Sequence, residues 1–242
     1  MEFAEYERMY EAEERQWWYA GMRAISFALL DGALRGGQPS FLDAGCGTGN
    51  NLVHFGMQGR AFGVDLSPEA LRFCRTRGVP VVRGSLLSLP FRDASFDCVT
   101  SFDVLYHRWV TDDRAAVGEL VRVLRPGGLL LVRVPALRML WGAHDEAVHS
   151  RHRYTRAEVR RLLEAAHLEV VRATYANTLL FPLVAARRTL DRITGRHGSD
   201  VEFLPAPLEW LFGTLLGTEA WLVRQGTSLP FGASVFALGR KP

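Results

Sequence analysis

The chain has 242 residues, 48% of them hydrophobic, and a formal net charge of +3 at pH 7, which suits one full core of the larger α/β kind without disulfide or metal staples. The mild charge is carried almost wholly by arginine, since Lys241 is the only lysine, and no stretch concentrates the basic face that tracking a phosphate backbone requires. Nucleic acid is therefore not expected as a partner. Cys46, Cys74 and Cys98 are odd in number and match no framework spacing, so a reducing, cytoplasmic setting is expected. The opening residues carry no basic region followed by an apolar one, and no uncharged run reaches the roughly 18 residues of a span, so neither a leader nor stable membrane insertion is expected.

In chain order, residues 2–34 read as amphipathic helix, with Phe3, Tyr6, Tyr10, Trp17, Trp18, Ile25 and Leu29 on the buried side. "SFLDAG" is a first strand and "GNNLVHFGMQG" the helix after it. "AFGVDLS" is a second strand; "SPEALRFCRTRG" follows as a helix with Ser67 as N-cap and Pro68 at its first position. "VPVVRGS" and "FDCVTSFDV" are the third and fourth strands, "DDRAAVGELVRVLRPGG" a helix stopped by Pro126 and Gly127, and "LLLVRVP" the fifth strand. Beyond Pro135, "GAHDEAVHSRHRY" leads into the helix "TRAEVRRLLEAAHL", where Thr155 and Glu158 form a capping-box pattern. The strand "EVVRATYA", a helical, aromatic-rich stretch and a last strand "ASVFALGR" complete the chain. Alternating strands and helices imply a parallel sheet with helices on both faces and right-handed crossovers.

Glycine costs backbone entropy, so Gly45, Gly47 and Gly49 at alternate positions mark a turn where backbone approaches a ligand at the end of the first strand. Asp43 precedes the turn, and a carboxylate there repels a pyrophosphate and attracts an ammonium. Asn50 stands where a dinucleotide fingerprint has its third glycine. A nucleoside bearing a cationic amino acid is thus favoured over NAD. Asp65, ending the second strand, stands where an acid accepts hydrogen bonds from ribose hydroxyls.

The segments "LDAGCGTGNNL", "GVDLSPEAL", "SLPFRDASFDCVTSFDVLYH" and "ELVRVLRPGGLLLVRVPA", in that order and spacing, resemble the successive motifs of class I S-adenosylmethionine-dependent methyltransferases of the small-molecule branch. "WWYAGMR", "HDEAVHSRHRYT", "YANTLLFPLVAARR" and "LPFGASVFALGRKP" are similar to a bacterial subgroup of them, so the resemblance covers nearly the whole chain. It implies a Rossmann-like, doubly wound α/β fold: a seven-stranded sheet with strand 7 antiparallel, hairpinned to the sixth, and a helical cap inserted between the two. It further implies a single domain over 1–242. Within it, 1–38 form an N-terminal helical lid and 39–135 the cofactor-binding core. Residues 136–176 form a lid segment, helix and sixth strand, 177–230 the cap, and 231–242 the last strand.

The cofactor implied is S-adenosylmethionine, with S-adenosylhomocysteine as product. By position, Asp43, Ala44, Gly45 and Gly47 would hold the methionine moiety, Asp65 the ribose and Leu66 the adenine face, with Ser85 and Leu86 at the adenine edge. The family often has aspartate where Ser85 stands; a serine hydroxyl can still hydrogen-bond there. Ser101, Phe102 and Asp103 would flank the sulfonium, and Arg23 is the candidate for the cofactor carboxylate.

On the acceptor side, His107 lies four residues past Asp103, beside Tyr106, and is read as a catalytic or substrate contact; a histidine that caps the loop is the other reading. In "HDEAVHSRHRY", Asp145, His149 and His152 would share one face if helical. Arginines interrupt the cluster and no established ligand pattern is met, so a polar lid is expected and no metal. Its residues His144, Asp145, His149, Arg153 and Tyr154 are candidates, with Trp17, Trp18, Tyr175 and Asn177 as further substrate contacts. Leu208, Leu211, Phe212, Leu215 and Leu216 form an apolar stripe expected to pack over the sheet, with a dimer interface second and a lipid-surface contact third; if the stripe lines the pocket, the acceptor should be apolar or aromatic. The expected activity is methyl transfer to oxygen, nitrogen or carbon of such a metabolite, by a monomer or homodimer. A non-methylating reaction such as cyclisation, or a non-catalytic regulatory role, is the alternative.

Overall fold

The computed structural model describes residues 3–34, 37–194 and 204–242. Its central strand, β1 (Ser40–Ala44), is buried along its whole length, as befits a strand flanked on both sides in a sheet covered on both faces. β2 (Arg60–Asp65) and β4 (Phe96–Phe102) pair with it in parallel on either side. β3 (Val81–Arg83) extends the sheet beyond β2, and β5 (Leu124–Pro135) beyond β4. β7 (Ser234–Arg240) lies antiparallel between β5 and β6 (Glu169–Ala176), giving the order β3-β2-β1-β4-β5-β7-β6. The sheet is the expected seven-stranded, Rossmann-like one, and its order reverses between β1 and β4, where such sheets open a crevice at their strand ends.

Local chemistry fixes the helices that cover it. Ahead of α4 (Pro68–Thr76) the Ser67 hydroxyl accepts the Ala70 N–H at 3.3 Å, with Pro68 at the first position. Asp112 caps α5 (Asp113–Val123) by accepting the Arg114 and Ala115 N–H groups. The capping box of α7 (Arg156–Ala165) closes both ways, with Glu158 accepting the Thr155 N–H at 2.6 Å. α5 stops at Val123 and β5 begins at Leu124, earlier than the sequence pattern suggests, because Arg125 precedes a proline and is barred from helix. The Pro126–Gly127 turn then sits within the strand as a register irregularity between the Phe96 and Cys98 pairings.

The N-terminal segment is two helices rather than one: α1 (Phe3–Ala12) and α2 (Trp17–Leu30). No glycine or proline breaks it. Glu13 and Gln16 are instead drawn into the interior between the two helices. Met1 and Glu2, the side chain of Phe3, and residues 195–203 of the expected cap lie outside the described residues. The cap consists of α8 (Phe181–Thr194) and α9 (Ala206–Arg224). α9 packs chiefly on α2 rather than on the sheet: a Cβ at Gly21 would lie 2.3 Å from Leu216 Cδ1, so only glycine admits the close approach. Leu216 is fully buried there, whereas Leu211 of the same stripe is exposed.

One buried carboxylate anchors the cap to the sheet. Glu219 of α9 is 0% exposed and accepts the Asn177 and Leu179 N–H groups at 2.7 Å each, holding the turn after β6, where Asn177 adopts φ +59°. Replacing Glu219 with leucine strands both donors, so Glu219→Leu should cost about 2–4 kcal/mol in urea denaturation, and Glu219→Gln, which keeps an acceptor, clearly less. Equal losses would show that the hydrogen bonds are not what matters.

Candidate functional site

The glycine turn is built from the ends of β1 and β2. The Gly45 and Cys46 N–H groups donate to Val64 O at 2.7 and 3.1 Å, fastening the turn to the neighbouring strand. Asp65 then takes the Gly47 N–H on Oδ2 and the Ser67 N–H on Oδ1, both at 2.9 Å. Gly45, Gly47 and Gly49 have φ of +82°, +53° and +87°, and a Cβ at Gly45 would lie 2.2 Å from Val104. Side chains are thereby excluded at these alternate positions, and α3 (Asn50–Gly56) starts directly after the turn.

Around this turn lies a cavity of about 830 Å³ at the C-terminal ends of β1, β2 and β4. Its wall is drawn from Gly45, Gly47, Asp65, Leu66, Ser85 and Leu86 at the ends of the first strands, and from Glu13, Trp17, Trp18 and Arg23 of the N-terminal segment. Phe102, Asp103, Tyr106 and His107 at and after β4, Arg133 of β5, and His144, Asp145, Arg153 and Asn177 further along the chain also line it. Leu183 of α8 and Leu208 and Phe212 of α9 add an apolar part. Among the described residues no three histidine, cysteine or acidic side chains converge as metal ligands.

Six sequence candidates do not reach this wall. Asp43, 1% exposed, lies beneath it and accepts the Thr100 hydroxyl at 2.7 Å, so it supports the turn from below instead of facing the mouth. Ala44 and Ser101 are buried in their strands. Tyr154 turns toward α5, donating to Asp113 at 2.8 Å, and Tyr175 Oη accepts the Arg156 N–H. His149 stands behind His107, ring centroids 6.0 Å apart. The single helical face imagined for Asp145, His149 and His152 does not form: α6 (Ala143–Ala147) ends first, and His149 has φ +55°. Asp145 is instead locked to Arg153 in a two-bond pair of 2.7 and 3.0 Å.

Among the wall residues that the sequence pattern does not single out are Arg133 and Glu13. Arg133 looks like an interruption in an apolar strand. It bonds Asp103 through Nε at 2.8 Å and lays its guanidinium 4.9 Å from the Trp18 ring, so it joins β4, β5 and the N-terminal helix. Glu13 accepts the Thr48 hydroxyl and pairs with Arg77 at 3.3 Å. Nothing local in the sequence marks Glu13, because its partners lie far along the chain.

Burial governs the protonation states. It pushes the Glu13 carboxyl up to about 7 and the Asp43 carboxyl up to about 6. Burial, then His149 and Arg108, lowers His107 to about 4, so the ring is neutral at pH 7. Its Nδ1 accepts the Trp109 N–H at 3.4 Å, which places the proton on Nε2. His107 is thus neutral, with an N–H rather than a basic nitrogen left to meet a ligand.

A carboxyl whose folded pKa lies above its unfolded one favours the fold below the unfolded value and progressively loses that advantage as pH rises to the folded value. For Glu13 that window runs from 4.5 to about 7. Stability of the ligand-free protein should therefore fall across it, and Glu13→Gln should flatten the upper part and raise stability at pH 8, read by urea titration at each pH. A Glu13→Gln variant with the wild-type pH profile would remove Glu13 from this role.

Comparison with known proteins agrees with this architecture. Residues 42–132 match the family model described as a methyltransferase domain. A Mycolicibacterium smegmatis protein named "Probable S-adenosylmethionine-dependent methyltransferase/" is 36% identical over 134 residues, 53% of this chain and 51% of that one. An Arabidopsis thaliana tRNA (carboxymethyluridine(34)-5-O)-methyltransferase is 36% identical over 108 residues, 43% of this chain and 24% of its own length. This chain thus spans about half of the first relative and about a quarter of the second. Among solved structures, a chain of the complex between the Haloferax volcanii Trm112 methyltransferase activator and a candidate methyltransferase superposes with a TM-score of 0.64. It is 24% identical, with 99% of this chain and 95% of that one covered, and so shares the fold.

Proposed function

We propose that this chain, which carries a class I S-adenosylmethionine-dependent methyltransferase domain, moves the cofactor's methyl group onto a small apolar or aromatic metabolite. The observation that carries the reading is the mixed lining of the cavity. Bare backbone at Gly45 and Gly47 and the Asp65 carboxylate share its wall with Phe102, Tyr106, Trp17, Phe212, Leu208 and Leu183, while Asp103, His107, Arg133, His144, Asp145 and Arg153 add polar groups. The glycine turn and its carboxylate fit the cofactor. Bare backbone at Gly45 and Gly47 on the cavity wall admits a close-lying ligand, and the carboxylate of Asp65 suits vicinal hydroxyls. Arg23 supplies a cation for a carboxylate.

When bound, S-adenosylmethionine supplies a sulfonium methyl for in-line transfer, and the chain's own contribution is positioning. Trp17 and Trp18 line the same cavity, beside Phe212 and Arg133 respectively. The Asp103–Arg133 pair fixes the wall after β4, and His107 offers an N–H to orient the acceptor. A nucleophile that needs no strong base matches a histidine that stays neutral. We read 1–242 as one unit, with 1–38 as lid and 177–230 as cap, working in the cytoplasm. The buried free cysteines support that setting, and among the described residues no helix is long and apolar enough to cross a membrane.

Radiolabelled methyl transfer to a panel of apolar, aromatic and polar acceptors, with tRNA alongside, tests the proposal. Turnover concentrated on apolar or aromatic small molecules is expected; equal turnover of polar acceptors, or transfer to tRNA alone, would contradict it. His107→Ala should leave S-adenosylhomocysteine affinity unchanged and lower kcat about tenfold. The wild-type rate should show no His107 limb between pH 6 and 8, since that ring titrates at about 4. Unchanged turnover in the variant would take His107 out of the acceptor site.

A further inference from the structure

α9 uses one face to build the cavity and leaves another bare. At about 100° per residue, Trp210, Thr214, Gly217 and Trp221 fall within roughly 60° of one another, on the side opposite Leu208 and Phe212. The two tryptophans are 72% and 59% exposed, and a shallow groove of about 430 Å³ runs along Thr214, Gly217 and Trp221. Glycine destabilises a helix interior, and a Cβ added at Gly217 would meet nothing within 4 Å. Nothing within the described chain requires a glycine there, whereas a second backbone approaching from outside would.

The order of sizes along the stripe is large, small, small, large, and it reads the same in both directions. We propose that this face is the interface of a two-fold dimer in which α9 crosses α9 of a second copy in antiparallel fashion. An axis midway between Leu215 and Leu216 sets Trp210 against Trp221 of the partner subunit and Thr214 against Gly217 of the partner subunit, as an isologous contact demands. The small residues at the centre let the backbones approach, and the tryptophans close both ends. At their present exposure, four tryptophans bury several hundred Å², about half of what the smallest stable interfaces need.

Charge separates a second copy from a lipid surface as the occupant. Interfacial helices carry several cations beside their apolar face, whereas Trp210, Thr214, Gly217 and Trp221 carry none and the basic residue next to them, Arg224, is paired with Asp31 at 3.1 Å. The acids of α9 point inward: Glu209 accepts the Trp17 and Leu204 N–H groups, and Glu219 is fully buried. Because these same two residues hold Trp17 and the turn at Asn177, dimerisation through the outer face would stiffen the helix that adds Leu208 and Phe212 to the cavity wall.

Sedimentation of the full chain over a concentration series tests the inference without reference to activity. The wild type should dimerise, and Gly217→Leu should raise the dissociation constant at least about tenfold while leaving the thermal midpoint of the monomer unchanged or higher. A Trp210→Cys/Trp221→Cys variant should cross-link between copies under mild oxidation, the three native cysteines being buried. A wild type that stays monomeric, or a dimer that Gly217→Leu does not weaken, would overturn the proposal. So would a monomer that cosediments with phosphatidylcholine–phosphatidylglycerol vesicles, which would assign the face to lipid.

Discussion

The carboxylate of Asp65 is the point on which the ligand site depends. It ends β2, yet its two oxygens hold backbone N–H groups of two different turns, Gly47 after β1 and Ser67 before α4. Both turns border the cavity, so the shape of the wall is set by one side chain whose own position is fixed by the sheet. Three left-handed glycines make the arrangement possible, because any side chain at Gly45 would collide with Val104. Asp43 supports the same turn from below, buried and bonded to Thr100. A carboxylate can be essential to such a site without facing it.

The rest of the wall is assembled differently, from segments remote in sequence. Trp17 is held by Glu209 of α9 through its N–H at 2.9 Å and by an edge contact with Phe212 at 5.2 Å. Arg133 of β5 reaches Asp103 after β4 and stacks near Trp18. The Asp145–Arg153 pair ties the segment after β5 to itself. Buried ion pairs of this kind specify geometry more than they add stability, because desolvation offsets most of their attraction. Precision of the wall, rather than strength of the fold, is what these charges provide.

These two modes of construction explain what could be read in advance. The strands, the Ser67 cap, the Thr155–Glu158 box and the glycine turn are specified within a few residues, so local pattern suffices. The break between α1 and α2 has no local cause; Glu13 leaves the helix because Thr48 and Arg77, far along the chain, bind it. His149 was placed on a helix that a left-handed residue ends, and Tyr154 and Tyr175 are drawn away by Asp113 and the Arg156 N–H. Ala44 and Ser101 belong to strands whose motif borders the site, but their alternation turns them inward. Motif membership identified the neighbourhood, and only the packing of distant elements decided which side chains face the cavity.

Calorimetric titration of the wild type and of Asp65→Ala with S-adenosylhomocysteine and with NAD tests the account most directly. Binding of the adenosyl ligand but not NAD by the wild type, and loss of at least about tenfold in affinity by a variant that remains folded, is the predicted result. Binding of NAD, or full adenosyl affinity without the Asp65 carboxylate, would contradict it.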